Sequence, residues 1–586
     1  MHRRRMPLSP LHRPHYVLIL SACCWMSTGA NLRAADRPEA LSIEGRSTVV
    51  ARNGMIATSQ PLATQAGLEV LRRGGNAVDA ALAANAVQGV VEPMSCGIGG
   101  DLFVIYWDAK TKKLYGLNAS GRSPYSLTIA KIRAAGHSQI PDVGPLSWSV
   151  PGCVDGWEML RARFGTWNLA DVLTPAIDYA EGGFPVSPVI AASWQSAAAS
   201  LAETPESRET FLIGKPEESK RLAPRVGEMF GNPRLAETYR RLAAGGADEF
   251  YKGSIARELA AYSKSVGGYI SERDLYEHKS DWIEPVSTSY RGYDVWELPP
   301  NGQGVAALQM LNLLEPYDLA KLGRGSPEYL HLFLEAKKLA YADRARYYAD
   351  PAMADVPTAR LISKEYAAER GKLISGKRAL ADVPHGDEKL VHGDTIYLTV
   401  VDKDRNCCSL IQSNYYGFGS QYTAGKLGFA LQNRGALFSL DPKHPNALAP
   451  HKRPFHTIIP AMVTKEGEPV FCFGVMGGDM QPQGHVQVLV NIIDFGLNPQ
   501  AAGDAARVRH TGSATPTGEP QSPGGGSVAV ESGISDEAVA ELRRLGHHVS
   551  RARGGFGGYQ GIWIDRKNNT LHGASESRTD GAAAGW

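Results

Sequence analysis

Apolar residues along this chain change their spacing near residue 395. Before that point helical spacing dominates. "PLATQAGLEVLRRGGNAVDAALAANAVQGVVEP", Pro61 to Pro93, reads as two helices, with Gly74-Gly75 ending the first, Asn76 capping the second and alanines filling the interior. "GDLFVIYWDAKTKKLYGLNAS" then alternates as a hairpin that turns around Lys110–Lys113. The stretch from about 150 to 390 is helix-rich, and its clearest helix is "SPEYLHLFLEAKKLAYADRARYYADP", with Ser326 as cap and Pro327 at the first helical position. After residue 395 strands take over. "TIYLTVVD" and "CCSLIQSN" flank a turn, and "HTIIPAMVTKEGEPVFCFGVMGG" forms a second apolar hairpin around Lys465–Glu468. "GHVQVLVNIIDFGLNPQAAGDAARV" reads as one helix, and 511–527 as a flexible loop by composition. Strand pairs that are apolar on both faces must be covered on both sides. Two such sheets with helices outside give an α+β sandwich of four layers, helix, sheet, sheet, helix.

Composition narrows the function classes. The 586 residues are 43% hydrophobic and 21% charged with a net charge of +2, so there is no electrostatic footprint for nucleic acid. At this length two domains or one large layered fold is expected. The first residues differ from the rest: "MHRRRMPLSPLHRPH" is basic, and "YVLILSACCWMSTGA" is a short apolar run followed by "NLRAAD". That order is a secretory signal peptide, residues 1–35, with cleavage near Ala34 or Ala35. "LSAC" at Leu20–Cys23 also resembles a lipobox, which would end the leader at residue 22 and attach a lipid anchor to Cys23. Either form implies export to a periplasmic or extracellular compartment. Cys96, Cys153, Cys407, Cys408 and Cys472 follow the leader, an odd number with no C-x-x-C pair, so packing rather than a disulfide framework is expected. Neighbouring Cys407 and Cys408 on a strand face opposite ways.

The common catalytic motifs are missing from the sequence: there is no P-loop, no H-E-x-x-H and no G-x-S-x-G elbow. "CGIGGD" and "GGFGGYQG" lack the strand, spacing and downstream acid of a dinucleotide site, and the sixteen histidines show no ligand spacing. No metal and no cofactor is expected. What stands out is "VHGDTIYL". His-Gly-Asp followed by Thr395 fits a turn that enters a strand. It also fits a chain that is cut before Thr395, leaving a threonine whose own α-amine acts as base for its hydroxyl. The free amine's ordinary pKa of about 7.7–8.0 suits that task.

Motifs along nearly the whole mature length favour the second reading. "TIYLTVVDKDRNCCSLIQS", "KRPFHTIIPAMV", "GVMGGDMQ" and "GASESRTDGAAAGW" resemble the γ-glutamyltransferase family of N-terminal-nucleophile hydrolases. "GGNAVDAALAANAVQGVVEPMSCGIGGD", "PGCVDGWEML" and "ADRARYYADP" extend the likeness through the first two thirds. The resemblance implies a proenzyme that cuts itself between Asp394 and Thr395 into a large subunit, 36–394, and a small catalytic subunit, 395–586, which stay interlocked in a four-layer αββα fold. It implies Thr395 as nucleophile and, through its amine, base. It also implies Ser413 as the hydroxyl bonded to the nucleophile, and Gly477 and Gly478 as the backbone donors of an oxyanion hole.

The likeness is imperfect in the substrate pocket. Family members grip a glutamate with a large-subunit arginine and a small-subunit Gln-x-x-Asp. Here "LQNRGALFSL" places Arg434 at the glutamine and Leu437 at the aspartate. The family's paired serines become His456 and Thr457, an asparagine becomes Tyr415, and the arginine is displaced to Arg122. The resemblance therefore implies a small-molecule γ-glutamyl or related acyl amide as substrate, with glutathione hydrolase or γ-glutamyltransferase activity. The altered pocket points alternatively to an acylase of other amides, such as a glutaryl or cephalosporin type, or to a processed inactive homologue.

Overall fold

Two seven-stranded antiparallel sheets lie face to face in this computed structural model, which describes residues 45–214, 221–381, 383 and 394–586. The expected leader, with Cys23 and Ala34–Ala35, lies outside the described residues. In the first sheet the strands follow one another in space as Ala582–Gly585, Met55–Thr58, Asp394–Val401, Cys407–Tyr415, Asp101–Asp108, Lys113–Ala119 and Asp281–Ile283. The second runs Val49–Ala51, Thr570–Ser575, Gly558–Asp565, Glu468–Met476, Ala461–Lys465, Tyr293–Glu297 and Val286–Tyr290.

The alternation of side chains explains the layering. Along Asp394–Val401, Tyr397 and Val401 enter the core between the sheets, while Ile396, Leu398 and Val400 pack outward against helices such as Ala77–Val91. Cys407 and Ile411 likewise face the second sheet, whereas Cys408 and Leu410 face helices. The two adjacent cysteines therefore point opposite ways, as their position on a strand predicts, and all five described cysteines are buried and free. Helices Gly304–Leu314, Pro327–Tyr347 and Met480–Ile493 cover the outer face of the second sheet. Each fully buried aliphatic side chain in these layers contributes roughly 1.5–3 kcal/mol, so strands apolar on both faces are stable only inside such a sandwich.

Local signals hold where caps are strong. Asn76 accepts from the Val78 and Asp79 amides in a capping box, and Ser326 caps the helix at Pro327. Other expectations need correction. The strand opens at Asp394 rather than Thr395, and residues 456–460 are not strand, since Pro460 has no N–H and the His456 amide bonds the Asn301 carbonyl. The helix expected over 484–508 is two, Met480–Ile493 and Pro499–Asp504, parted where Gly496 takes φ +65. Part of the expected loop 511–527 is ordered by pairing of Val508–Thr511 with Ser527–Val530.

Residues on either side of position 395 share both sheets. The Asp394–Val401 strand is hydrogen-bonded to Met55–Thr58, and Tyr293–Glu297 to Ala461–Lys465. A break before Thr395 leaves two chains interleaved strand by strand.

Candidate active site

Thr395 sits at a bulge. Asp394 pairs with Tyr415 but Ile396 pairs with Gln412, so the register slips by one residue at the threonine. Bulges re-aim a side chain, and this one leaves the Thr395 hydroxyl buried, donating to Ser413 Oγ at 3.2 Å. Ser413 Oγ also accepts the Tyr415 amide at 2.8 Å, which ties the serine rotamer to the end of its strand. Residues 384–393, including the segment leading into the expected cut, lie outside the described residues.

The second sheet brings the other half. Glu468–Met476 ends at Gly477 and Gly478, whose φ values of +121 and +57 favour glycine, and the helix Met480–Ile493 starts two residues later. The Gly478 carbonyl accepts from Gln303 Nε2 at 2.9 Å, and Gln303 also donates to the Thr457 carbonyl at 2.7 Å. Among the described residues neither the Gly477 nor the Gly478 amide has a main-chain acceptor. Behind the turn, Asp479 forms a two-pronged pair with the fully buried Arg344 at 2.6 and 2.8 Å, and Arg344 donates to Gln303 Oε1 at 2.6 Å. This network fixes two backbone N–H groups at a helix N-terminus, where partial positive charge accumulates.

Thr395 and Gly477 line one cavity of about 450 Å³ together with Ser59, Glu92, Arg509 and Arg553. Tyr415 and Leu437 line another, of about 690 Å³, with Asp142, Tyr416 and Glu519. Arg434 is wholly buried, donating from Nη1 to Thr457 Oγ1 at 2.7 Å, with its guanidinium 4.6 Å from the centre of the Tyr415 ring. Burial pushes its pKa down to about 10, against the opposing pull of Asp101. His456 is also fully buried. Its Nδ1 accepts the Ile458 amide, so Nε2 carries the hydrogen donated to Asp101 at 3.0 Å. Burial, and then the charge of Arg434, lowers its pKa to about 4. Leu437 is buried, and its carbonyl accepts from Asn446 Nδ2.

The fold thus gathers Thr395, Ser413, Tyr415, Arg434 and Thr457, with Gly477 and Gly478, into one bonded assembly. It does not bring Arg122 there: that guanidinium is engaged with the Lys279 carbonyl at 2.9 Å and Asp281 at 3.4 Å, and it lines neither cavity. Sequence reasoning gave no role to Gln303, Arg344, Asp479 or Asp101. Arg344 and Asp479 fall inside the motifs "ADRARYYADP" and "GGDMQ", but only the tertiary structure pairs them. Among the described residues, His331, Glu335 and His547 bring ligand-type atoms together, away from this assembly. There Lys338 bonds Glu335 at 2.8 Å and already supplies the positive charge.

Comparison with known proteins agrees in extent. The sequence model of the family described as Gamma-glutamyltranspeptidase matches residues 63–586. The chain is 38% identical over 544 residues to the glutathione hydrolase-like YwrD proenzyme of Bacillus subtilis (strain 168), covering 92% of this chain and 99% of that one. It is 36% identical to the acylase ACY 1 proenzyme of Pseudomonas sp. (strain SE83), covering 90% and 92%. Among solved structures, the crystal structure of cephalosporin acylase from Bacillus halodurans superposes with a TM-score of 0.85 at 42% identity, over 95% of this chain and 99% of that one.

Proposed function

Because this chain belongs to the gamma-glutamyltranspeptidase family, we propose that it is a self-processing amidohydrolase whose nucleophile is Thr395. The observation that carries this reading is the Thr395 hydroxyl held on Ser413 in the cavity that Gly477 also lines. In the first reaction Thr395 Oγ attacks the Asp394 carbonyl, the peptide C–N bond breaks, and water hydrolyses the resulting ester. Asp394 leaves as a carboxylate and the Thr395 α-amine is freed.

That amine is the base for the second reaction. It takes the hydroxyl proton as Oγ attacks a substrate amide, and it returns a proton to the departing amine. Charge that develops on the amide oxygen is met by the Gly477 and Gly478 amides, pre-set by the Gln303–Arg344–Asp479 network. Water attacks the acyl-threonine ester in hydrolysis, and an acceptor amine attacks it in transfer. The large subunit, 36–394, and the small one, 395–586, remain associated through the shared sheets.

Expression of the full chain tests the reading. The purified protein is expected to separate under denaturing conditions into two fragments, the smaller starting at Thr395. Thr395→Ala is expected to remain one uncut, inactive chain, because attacking hydroxyl and future nucleophile are both gone. Intact chain throughout an active preparation would refute it.

A further inference from the structure

We propose that Glu92 receives the Thr395 α-amine once cleavage frees it, holding that amine by a hydrogen bond and an opposite charge. This deepens the amidohydrolase reading and rests on it, because the amine exists only in the processed chain. Three attachments place Glu92 near the head of the nucleophile strand. It ends the helix Ala77–Val91 and lines the same 450 Å³ cavity as Thr395. Its carboxylate accepts from Ser59 Oγ at 2.5 Å, and Ser59 directly follows Thr58, which pairs with Leu398 on one side of that strand. On the other side, the Glu92 carbonyl accepts the Ser95 amide at 2.9 Å. The Ser95 carbonyl in turn accepts the Asn414 amide at 3.2 Å, next to Ser413. Glu92 is thus tied to both strands that flank the nucleophile.

The hydrogen bonds mark Glu92 as an acceptor. Gln88 Nε2 donates to Ser59 Oγ at 2.8 Å, which leaves the serine hydrogen to Glu92, the pattern of a charge-assisted bond to a carboxylate. The place is otherwise poor for an anion, since Glu92 is buried and stands at the negative end of its helix. A cation created beside it offsets both penalties. While the amine is neutral, one N–H donates to Glu92 and the lone pair faces Thr395 Oγ. The amine takes the hydroxyl proton as Oγ attacks, and the ammonium pairs with Glu92 until it passes that proton to the departing nitrogen. Glu92 touches no substrate atom; it is a positioning residue that acts through the amine.

The other charged groups around the cavity set the balance that Glu92 tips. Arg509, from the strand Val508–Thr511, and Arg553, from the Gly-rich loop 552–558, line it and oppose a further positive charge on the amine. Arg578, from the C-terminal tail, is matched by Glu531 and Glu576 at 2.6 and 2.7 Å, and Asp580 accepts from Ser187. The helix Pro188–Leu201 contributes Val189, Ile190 and Ser193, none of which titrates. Tyr415 on the Ser413 strand and Cys96 beside Glu92 are kept neutral by burial. Asp479, in the glycine turn, is matched by Arg344. Glu92 is the acid held at the head of the nucleophile strand, and it decides how far Arg509 and Arg553 disfavour the ammonium.

The test is the pH profile of kcat/KM for the processed full-length enzyme, with whichever p-nitroanilide it uses, glutaryl or γ-glutamyl. Activity rises with pH as the amine loses its proton, and a carboxylate within about 4–6 Å raises that midpoint by about 1–3 units. Glu92→Gln keeps an acceptor for Ser59 but removes the charge, so the midpoint is expected to fall by at least about one unit. Glu92→Asp, which keeps the charge, is expected to restore part of the shift. A purely structural Glu92 lowers the rate at every pH and leaves the midpoint in place, and that result overturns the inference. Should Glu92→Gln fail to fold or to cut itself, the wild-type amine decides. Competitive labelling of the Thr395 α-amine with acetic anhydride, read by mass spectrometry of the small subunit, is expected to titrate at or above the ordinary range of about 7.7–8.0. Titration below that range overturns the inference. An enzyme that is cut and active with an unmoved midpoint loses only this inference. A wild-type chain that never exposes a Thr395 amine loses the proposed function, and this inference with it.

Discussion

Asp479→Asn isolates the network behind the glycine turn. The substitution keeps shape and hydrogen-bonding capacity but removes the charge that faces Arg344 at 2.6 and 2.8 Å. Arg344 is wholly buried and keeps Gln303 and the Tyr341 ring, at 3.9 Å, as neighbours, but no counter-charge. Breaking a buried ion pair by neutralising one partner costs about 3–5 kcal/mol. Asp479 is 19% exposed, so solvent softens the loss and the lower end, about 3 kcal/mol, applies. Equilibrium unfolding is best compared in the Thr395→Ala background, where each protein is a single uncut chain. Catalysis is read in the processed enzyme. If Gln303 and Arg344 set the Gly477–Gly478 amides, loosening them removes stabilisation felt mainly in the transition state. A fall in kcat of roughly a hundredfold with KM nearly unchanged is then expected, the size seen when an oxyanion donor is lost. An unfolding free energy within about 1 kcal/mol of the parent, together with kcat within about threefold, would show that the turn is held by something else.

Two further outcomes follow from the pocket. Leu437→Asp places a carboxylate beside Arg434 and is expected to raise the ratio of γ-glutamyl to glutaryl kcat/KM at least tenfold; an unchanged ratio would remove Leu437 from the determinants of specificity. His456 has a folded pKa of about 4 against 6.5 when free, so its contribution to stability is complete above about pH 6.5 and declines as the pH falls towards 4, because the unfolded chain takes up the proton first. Urea midpoints of the uncut protein between pH 7 and 4.5 are expected to fall, and less steeply in His456→Gln; parallel slopes would rule His456 out as a source of acid sensitivity.

Periodicity, caps and glycines by themselves determined the αββα layers, because a strand apolar on both faces has few ways to be buried and a cap such as Asn76 or Ser326 acts within one turn of its helix. Thr395 stood out locally as a threonine that enters a strand after His-Gly-Asp, whereas Ser413 and Gly477-Gly478 were singled out only by the likeness of their motifs to the family. Local pattern failed where long-range partners decide. Residues 456–460 look like strand but give the His456 amide to Asn301. The register slip at Thr395 depends on Tyr415 and Gln412 in the partner strand. Arg122 resembled a substrate ligand, yet its charge is drawn to Asp281 far along the chain. That Nε and Nη2 of Arg434 lack hydrogen-bond partners among the described residues was equally invisible in sequence. An arginine's hydrogen-bond vacancies exist only once Thr457, Tyr415 and the surrounding core have taken their places and excluded water, and that is set by packing across the two sheets rather than by neighbours along the chain.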